Sequence, residues 1–86
     1  MSKVLDDIAA ERLRQVEAEG WTPAHDDDHN NGELADAAAC YARGKQMSAV
    51  WPWDDGWWKP ADQRRNLVKA GALIVAEIER IDRASA

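Results

Sequence analysis

The chain has 86 residues, a formal net charge of −5, five tryptophans, no phenylalanine and a single cysteine. A chain this short makes one domain, residues 1–86, and buries only about 60–65% of its extended surface, so its core is thin and a homo-oligomer is the expected supplement. The acidic balance excludes a broad duplex nucleic-acid footprint, lone Cys40 excludes an internal disulfide, and no apolar run reaches the ~18 residues of a membrane span; with an acidic N-terminus that does not read as a signal peptide, the expectation is a cytoplasmic protein whose partners include neither duplex nucleic acid nor membrane.

In chain order, Ser2 is placed to cap a first helix, and residues 3–19 contain neither Gly nor Pro. Leu5, Ile8, Ala9, Leu13 and Val16 supply an apolar face. Beside it runs a polar line, Glu11, Gln15 and Glu19, which reads either as a solvated flank or, for Glu11 and Gln15, as groups pointing into a cleft. Gly20 ends this helix as a C-cap, and Trp21 packs back on it. The following loop holds His25, Asp26, Asp27, Asp28 and His29. His25 and His29 have helical spacing, but Pro23 and the aspartates argue against a helix there. Asn30 or Asn31 is expected to cap a second helix, 32–43. Leu34, Ala37, Ala38 and Tyr41 share one face of it, Asp36, Cys40 and Arg43 another, and Gly44 closes it. Cys40 reads as a small buried thiol.

Residues 45–59 form a second loop carrying Trp51, Trp53, Trp57 and Trp58. Most of these indoles are expected to cover the core, and one or two to stack on a planar ligand. Pro60 is expected at the first position of the longest helix, 60–83. There Leu67, Ala70 or Gly71, Ile74, Ile78 and Ile81 form the buried stripe, widened by Val68, Leu73 and Val75. Glu77–Arg80 and Glu79–Arg83 are expected surface pairs. The architecture is all-α: three helices (about 3–19, 32–43 and 60–83) with two structured loops.

Three constellations carry chemistry. The His25–His29 loop concentrates imidazoles and carboxylates that suit either hydrogen bonding or a divalent cation, with Asp26, Asp28, Glu33 and Asp36 as the candidate metal ligands. Lys59, Arg64 and Arg65 gather at the start of the last helix as an anion site. Placed beside the tryptophan loop, they are suited to a nucleotide: an aromatic face for the base and guanidiniums for the phosphate. The candidate ligand-binding residues are Glu11, Gln15, Trp21, His25, Asp27, His29, Trp53, Trp57, Trp58, Lys59, Arg64 and Arg65. No catalytic residue and no cofactor is assigned.

The third constellation, Glu33-Leu34-Ala35-Asp36 taken with Glu11, resembles the carboxylate sets of all-α nucleoside triphosphate pyrophosphohydrolases of the MazG type. That resemblance implies magnesium held by Glu33 and Asp36 against a triphosphate. This chain offers Glu11 and Gln15 where that family has Glu-x-x-Glu. Nearly the whole chain resembles a family of small phage and prophage proteins. The matching residues are Glu11-Arg12, Gln15, Glu19-Gly20-Trp21-Thr22, His25-Asp26-Asp27, His29, Gly32-Glu33-Leu34, Tyr41-Ala42, Trp51-Pro52-Trp53, Trp58-Lys59-Pro60, Arg64-Arg65 and Ala76-Glu77-Ile78-Glu79-Arg80. The resemblance implies phage origin and residence in a host cell. Gly20-Trp21, Asp28, His29, Pro60 and Gln63-Arg64 are similar to the ryanodine-receptor-type repeat domain, although its Tyr-Gly and His-Pro are missing; that likeness implies nucleotide-signal binding. The leading expectation is a non-catalytic phage protein that captures a nucleotide or nucleotide-derived signal, in the service of evading host defence. The alternatives are a magnesium-dependent pyrophosphohydrolase and an inhibitor that binds a host defence protein.

Overall fold

A computed structural model describes residues 2–85. It is all-α: α1 (Lys3–Ala18), a single-turn α2 (Pro23–Asp27), α3 (Glu33–Arg43) and α4 (Gln63–Ala84), with one 3-10 turn at Asp55–Trp57. The hydroxyl of Ser2 accepts from the Leu5 amide to start α1. Gly20, at φ +74°, ends it by letting the Trp21 amide reach back to the Gln15 carbonyl at 3.0 Å.

Three expectations about local structure are corrected. The His–Asp stretch does contain a helix, because Thr22 caps it and Pro23 occupies its first position, where a missing N–H costs nothing. Neither Asn30 nor Asn31 caps α3; the cap is Gly32 at φ +84°, with no side-chain bond. The Glu33 carboxylate instead accepts from the Asn31 amide at 2.7 Å. Pro60 does not open the last helix. Asp62 caps α4 by accepting from the Arg65 amide, and the Asn66 amide group pins the preceding loop through both polar atoms of Ala61.

α1, α2 and α3 all pack chiefly on α4. The core lies between α3 and α4: Leu34, Ala37, Ala38, Cys40 and Tyr41 meet Ala70, Leu73 and Ala76, with Trp21 and Trp51 sealing it. The alanines bring the two helix backbones close, and the tryptophans supply the bulk that a thin core lacks. Trp51 and Trp58 pack on Tyr41, at ring separations of 5.9 and 4.7 Å.

The apolar stripes expected to be buried on the first and last helices are buried only in part: Val68, Ala70 and Leu73 enter the core, but much of the rest does not. Leu5, Leu13, Leu67, Ile74, Ile78 and Ile81 are all about half exposed, while the buried residues of α1 are Glu11 and Gln15. The cause sits at Gly71. A Cβ there would stand 3.0 Å from Ile8 Cδ1, so α1 rests Ile8 directly on the α4 backbone. With Ile8 turned inward, Glu11 and Gln15 follow onto the inner side at helical steps of three and four. Leu5 and Leu13 are thereby carried outward. Among the charged pairs, Glu77–Arg80 forms as expected at 2.6 Å. Glu79 instead meets Arg12, and Arg83 meets Asp27 at 2.8 Å.

This packing makes Gly71→Val costly by about 1–3 kcal/mol in thermal or urea unfolding, since a branched side chain meets Ile8. Gly71→Ala stays within about 1 kcal/mol of wild type, because its gain in helix propensity offsets the displacement of the Ile8 tip. Equal stability of the valine variant and the wild type contradicts the Gly71–Ile8 seat.

Candidate functional site

The inward face of α1 places a full negative charge in the interior. The Glu11 side chain is inaccessible to solvent. Arg14 clasps it through two nitrogens, at 2.7 and 2.9 Å. Gln15 donates to it at 3.1 Å, and Arg65 on α4 completes the set. Burial pushes the Glu11 carboxyl up, but the Arg14 and Arg65 charges and the Gln15 bond bring it below its ordinary 4.5. The same contacts hold Arg14 more firmly protonated. Glu19, one turn past Gln15, repeats the pattern: Lys59 straddles both its oxygens at 3.0 and 3.1 Å. The Lys59 and Arg14 charges overcome its burial and hold it below 4.5.

Above this layer lies a narrow cleft of about 10 Å³, room for one water, lined by Glu11, Arg14, Gln15, Glu19, Trp21, Tyr41, Trp57, Lys59 and Lys69. Its chemistry is unbalanced in two respects. Lys69 makes no ion pair among the described residues; its ammonium donates to the Lys59 carbonyl at 2.7 Å and sits 5.6 Å from the Tyr41 ring centre. Burial pulls Lys69 below its ordinary value. Gln15 is 1% exposed, yet its Oε1 has no donor within hydrogen-bond reach. Buried polar atoms left in that state are rare.

The cleft opens into a pocket of about 230 Å³ lined by Glu19, Trp21, His25, His29, Trp53 and Trp57. Trp21 forms the floor, 5.4 Å from Trp53 and 6.4 Å from Trp57. Trp57, 43% exposed, presents the most accessible indole, and the Lys59 ammonium lies 5.5 Å from its centre. Opposite stand the two histidines, whose Nε2 atoms are 3.2 Å apart.

The two connectors, far apart in sequence, therefore meet. Glu11, Gln15, Trp21, His25, His29, Trp53, Trp57 and Lys59 line the cleft and pocket, and Arg65 stands behind Glu11. Three expected site residues lie elsewhere. Arg64 pairs with Asp7, Asp27 pairs with Arg83, and Trp58 packs into the Tyr41–Trp51 cluster. Of the expected metal ligands, Asp28 and Asp36 are exposed, and Glu33 faces His29. Asp26 is buried against Arg12 at 2.7 Å. No group of three or more His, Cys, Asp or Glu side chains is placed to hold a metal ion jointly among the described residues.

Sequence reasoning missed Arg14, Glu19, Tyr41 and Lys69 as site residues. Arg14 and Glu19 had a signal, lying one helical turn from Glu11 and Gln15 respectively. Lys69 and Tyr41 had none, since their place in the cleft depends on tertiary packing.

Comparison with family models, curated proteins and solved structures finds no match to this chain.

Because the folded state lowers the Glu11 and Glu19 carboxyls, their contribution to stability is complete above about 4.5 and is lost as pH falls through the lowered values. The melting temperature should hold between about pH 7 and pH 5 and decline below about 4.5. Glu11→Gln should lose about 2–3 kcal/mol at pH 7, toward the low end for a broken buried pair because both arginines reach solvent. It should also flatten the acid limb. A Glu11→Gln variant with wild-type stability and an unchanged acid limb contradicts this assignment.

Proposed function

We propose that this protein binds a mononucleotide, or a small nucleotide-derived signal, and holds it without turning it over. The carrying observation is a surplus of positive charge beside an aromatic wall on an acidic chain. Arg14, Arg65, Lys59 and Lys69 surround only Glu11 and Glu19, four cations against two carboxylates. Among the pairs these groups make, Lys69 has no carboxylate and is free to meet a phosphate. Lys59 reaches the same place by leaving Glu19. Trp57 and Trp53 offer faces for a base, while the unpartnered Oε1 of Gln15 lies in the adjoining cleft, which has room for a single water and not for a ribose.

Size narrows the class. A pocket of about 230 Å³ falls below the ~300–1,000 Å³ that holds a drug-sized ligand. One base with its ribose fits better than a cyclic dinucleotide. A binding role is favoured over hydrolysis because two of the three carboxylates of the pyrophosphohydrolase likeness are already engaged, and the third, Asp36, is exposed. Glu11 is held by guanidiniums and Glu33 by the Asn31 amide.

Isothermal titration against nucleoside monophosphates, ADP-ribose derivatives and cyclic dinucleotides tests this reading. A monophosphate-bearing ligand should bind at micromolar concentration or tighter. Trp57→Ala should lose about 1–3 kcal/mol of affinity, and Lys69→Met should weaken binding at least ~10-fold, as expected for a lost charge-assisted bond. Silence across the panel overturns the reading, and magnesium-dependent pyrophosphate release would replace it with the enzymatic one.

The outer apolar face supports a second part of the proposal, a homo-oligomer. Leu67, Ile74, Ile78 and Ile81 follow one another along α4 at the steps of a helix-pairing seam. Leu5, Ile8, Ala9 and Val75 line an adjoining depression that the Arg12–Glu79 pair also borders. The seven large exposed apolar side chains of α1 and α4 present on the order of 600 Å², against the roughly 800 Å² per partner of a standard interface. A second copy is the partner of matching character, because a seam on one straight helix is self-complementary about a two-fold axis. Light scattering should give a dimer mass for the wild type and a monomer mass for Ile74→Glu/Ile78→Glu. A monomeric wild type refutes it.

A further inference from the structure

We propose that His25 and His29 form a divalent transition-metal site of the zinc class at the wall of the tryptophan pocket. Their Nε2 atoms face each other at 3.2 Å. Two imidazole nitrogens bound at ~2.05 Å to one tetrahedral ion lie about 3.3 Å apart, so the observed gap matches a shared ion. The far side of each ring is also occupied. His25 Nδ1 faces Asp26 Oδ1 at 3.2 Å, and His29 Nδ1 faces Glu33 Oε2 at 3.5 Å. Asp26 is itself fixed, its other oxygen accepting from Arg12 at 2.7 Å.

In the metal-free protein the Nε2–Nε2 contact is a hydrogen bond carried by one shared proton. With Nδ1 of each ring turned to a carboxylate, a metal ion takes the place of that proton between the two nitrogens. A carboxylate behind each metal-bound imidazole is also the arrangement that orients histidine ligands and raises their basicity. The sequence reading sought ligands among Asp26, Asp28, Glu33 and Asp36. The geometry instead makes the two histidines the ligands and Asp26 and Glu33 their supports, leaving Asp28 and Asp36 outside. Two protein ligands leave coordination positions open toward a pocket also lined by Glu19. Water fills those positions, or the oxygen of a ligand lying on the tryptophans.

The test is a titration of the purified protein with Co²⁺ or Zn²⁺ alone, read by the visible absorption of tetrahedral cobalt, by calorimetry and by the imidazole NMR resonances. One ion per chain should bind, shifting the resonances of both histidines. His25→Ala and His29→Ala should each abolish the cobalt spectrum. Glu33→Gln, which leaves both ligands in place, should weaken binding about 10–100-fold. Imidazole resonances of the unmodified protein that do not move up to millimolar metal overturn the proposal, as does binding that leaves both histidines unchanged. The titration contains no nucleotide, so its failure leaves the nucleotide reading intact, and failure of nucleotide binding leaves this site intact.

Discussion

A buried glutamate decides the shape of this molecule. Glu11 on α1 is enclosed by Arg14 and Gln15 from its own helix and by Arg65 from α4. A carboxylate taken out of water costs several kcal/mol unless its partners are well placed. Here two guanidiniums and an amide recover that cost only when α1 presents its polar side to the interior. The small contact of Ile8 against Gly71 fixes the same rotation. Charge and packing thus agree on an orientation that the distribution of apolar residues opposes.

Two surfaces follow from that orientation. On the inner side, Glu11, Gln15 and Glu19 become the floor of a cleft over which Lys59, Lys69, Tyr41 and Trp57 close. On the outer side, the leucines and isoleucines of α1 and α4 are left half exposed. A stable domain of this size has little apolar material to spare, yet much of it lies at the surface. The small core between α3 and α4 compensates with alanine-mediated close approach and a shell of indoles. The tryptophans divide their work accordingly. Trp51 and Trp58 pack around Tyr41, while Trp21, Trp53 and Trp57 face the pocket.

Much of the fold was legible. Glycines at 20 and 44, the Gly/Pro-free run of α1 and the apolar spacing of α3 and α4 locate the three main helices within a few residues. What failed was the assumption that the most apolar stripe is the buried one. Leu13 and Ile78, 56% and 53% exposed, obey helical periodicity, yet Glu11 and Gln15 occupy the interior. Periodicity reports which residues share a face and not which face turns inward when a buried ion pair competes with it. Arg64 and Arg65 are adjacent and chemically alike, but 100° of helical rotation sends one to Asp7 at the surface and the other to Glu11. Pro23, which with the aspartates argued against a helix around His25, is instead the first residue of one.

The central claim is that the polar side of α1 and the tryptophan loop form one ligand-accepting surface. The most direct measurement is a two-dimensional NMR titration with a nucleoside 5′-monophosphate, following the indole Nε1–H and the arginine Nε–H signals. The account predicts concerted shifts for Trp21, Trp53, Trp57 and Arg14, with Trp58 and Arg64 unmoved. Shifts confined to Arg64 and Trp58, or no shifts at saturating nucleotide, contradict it.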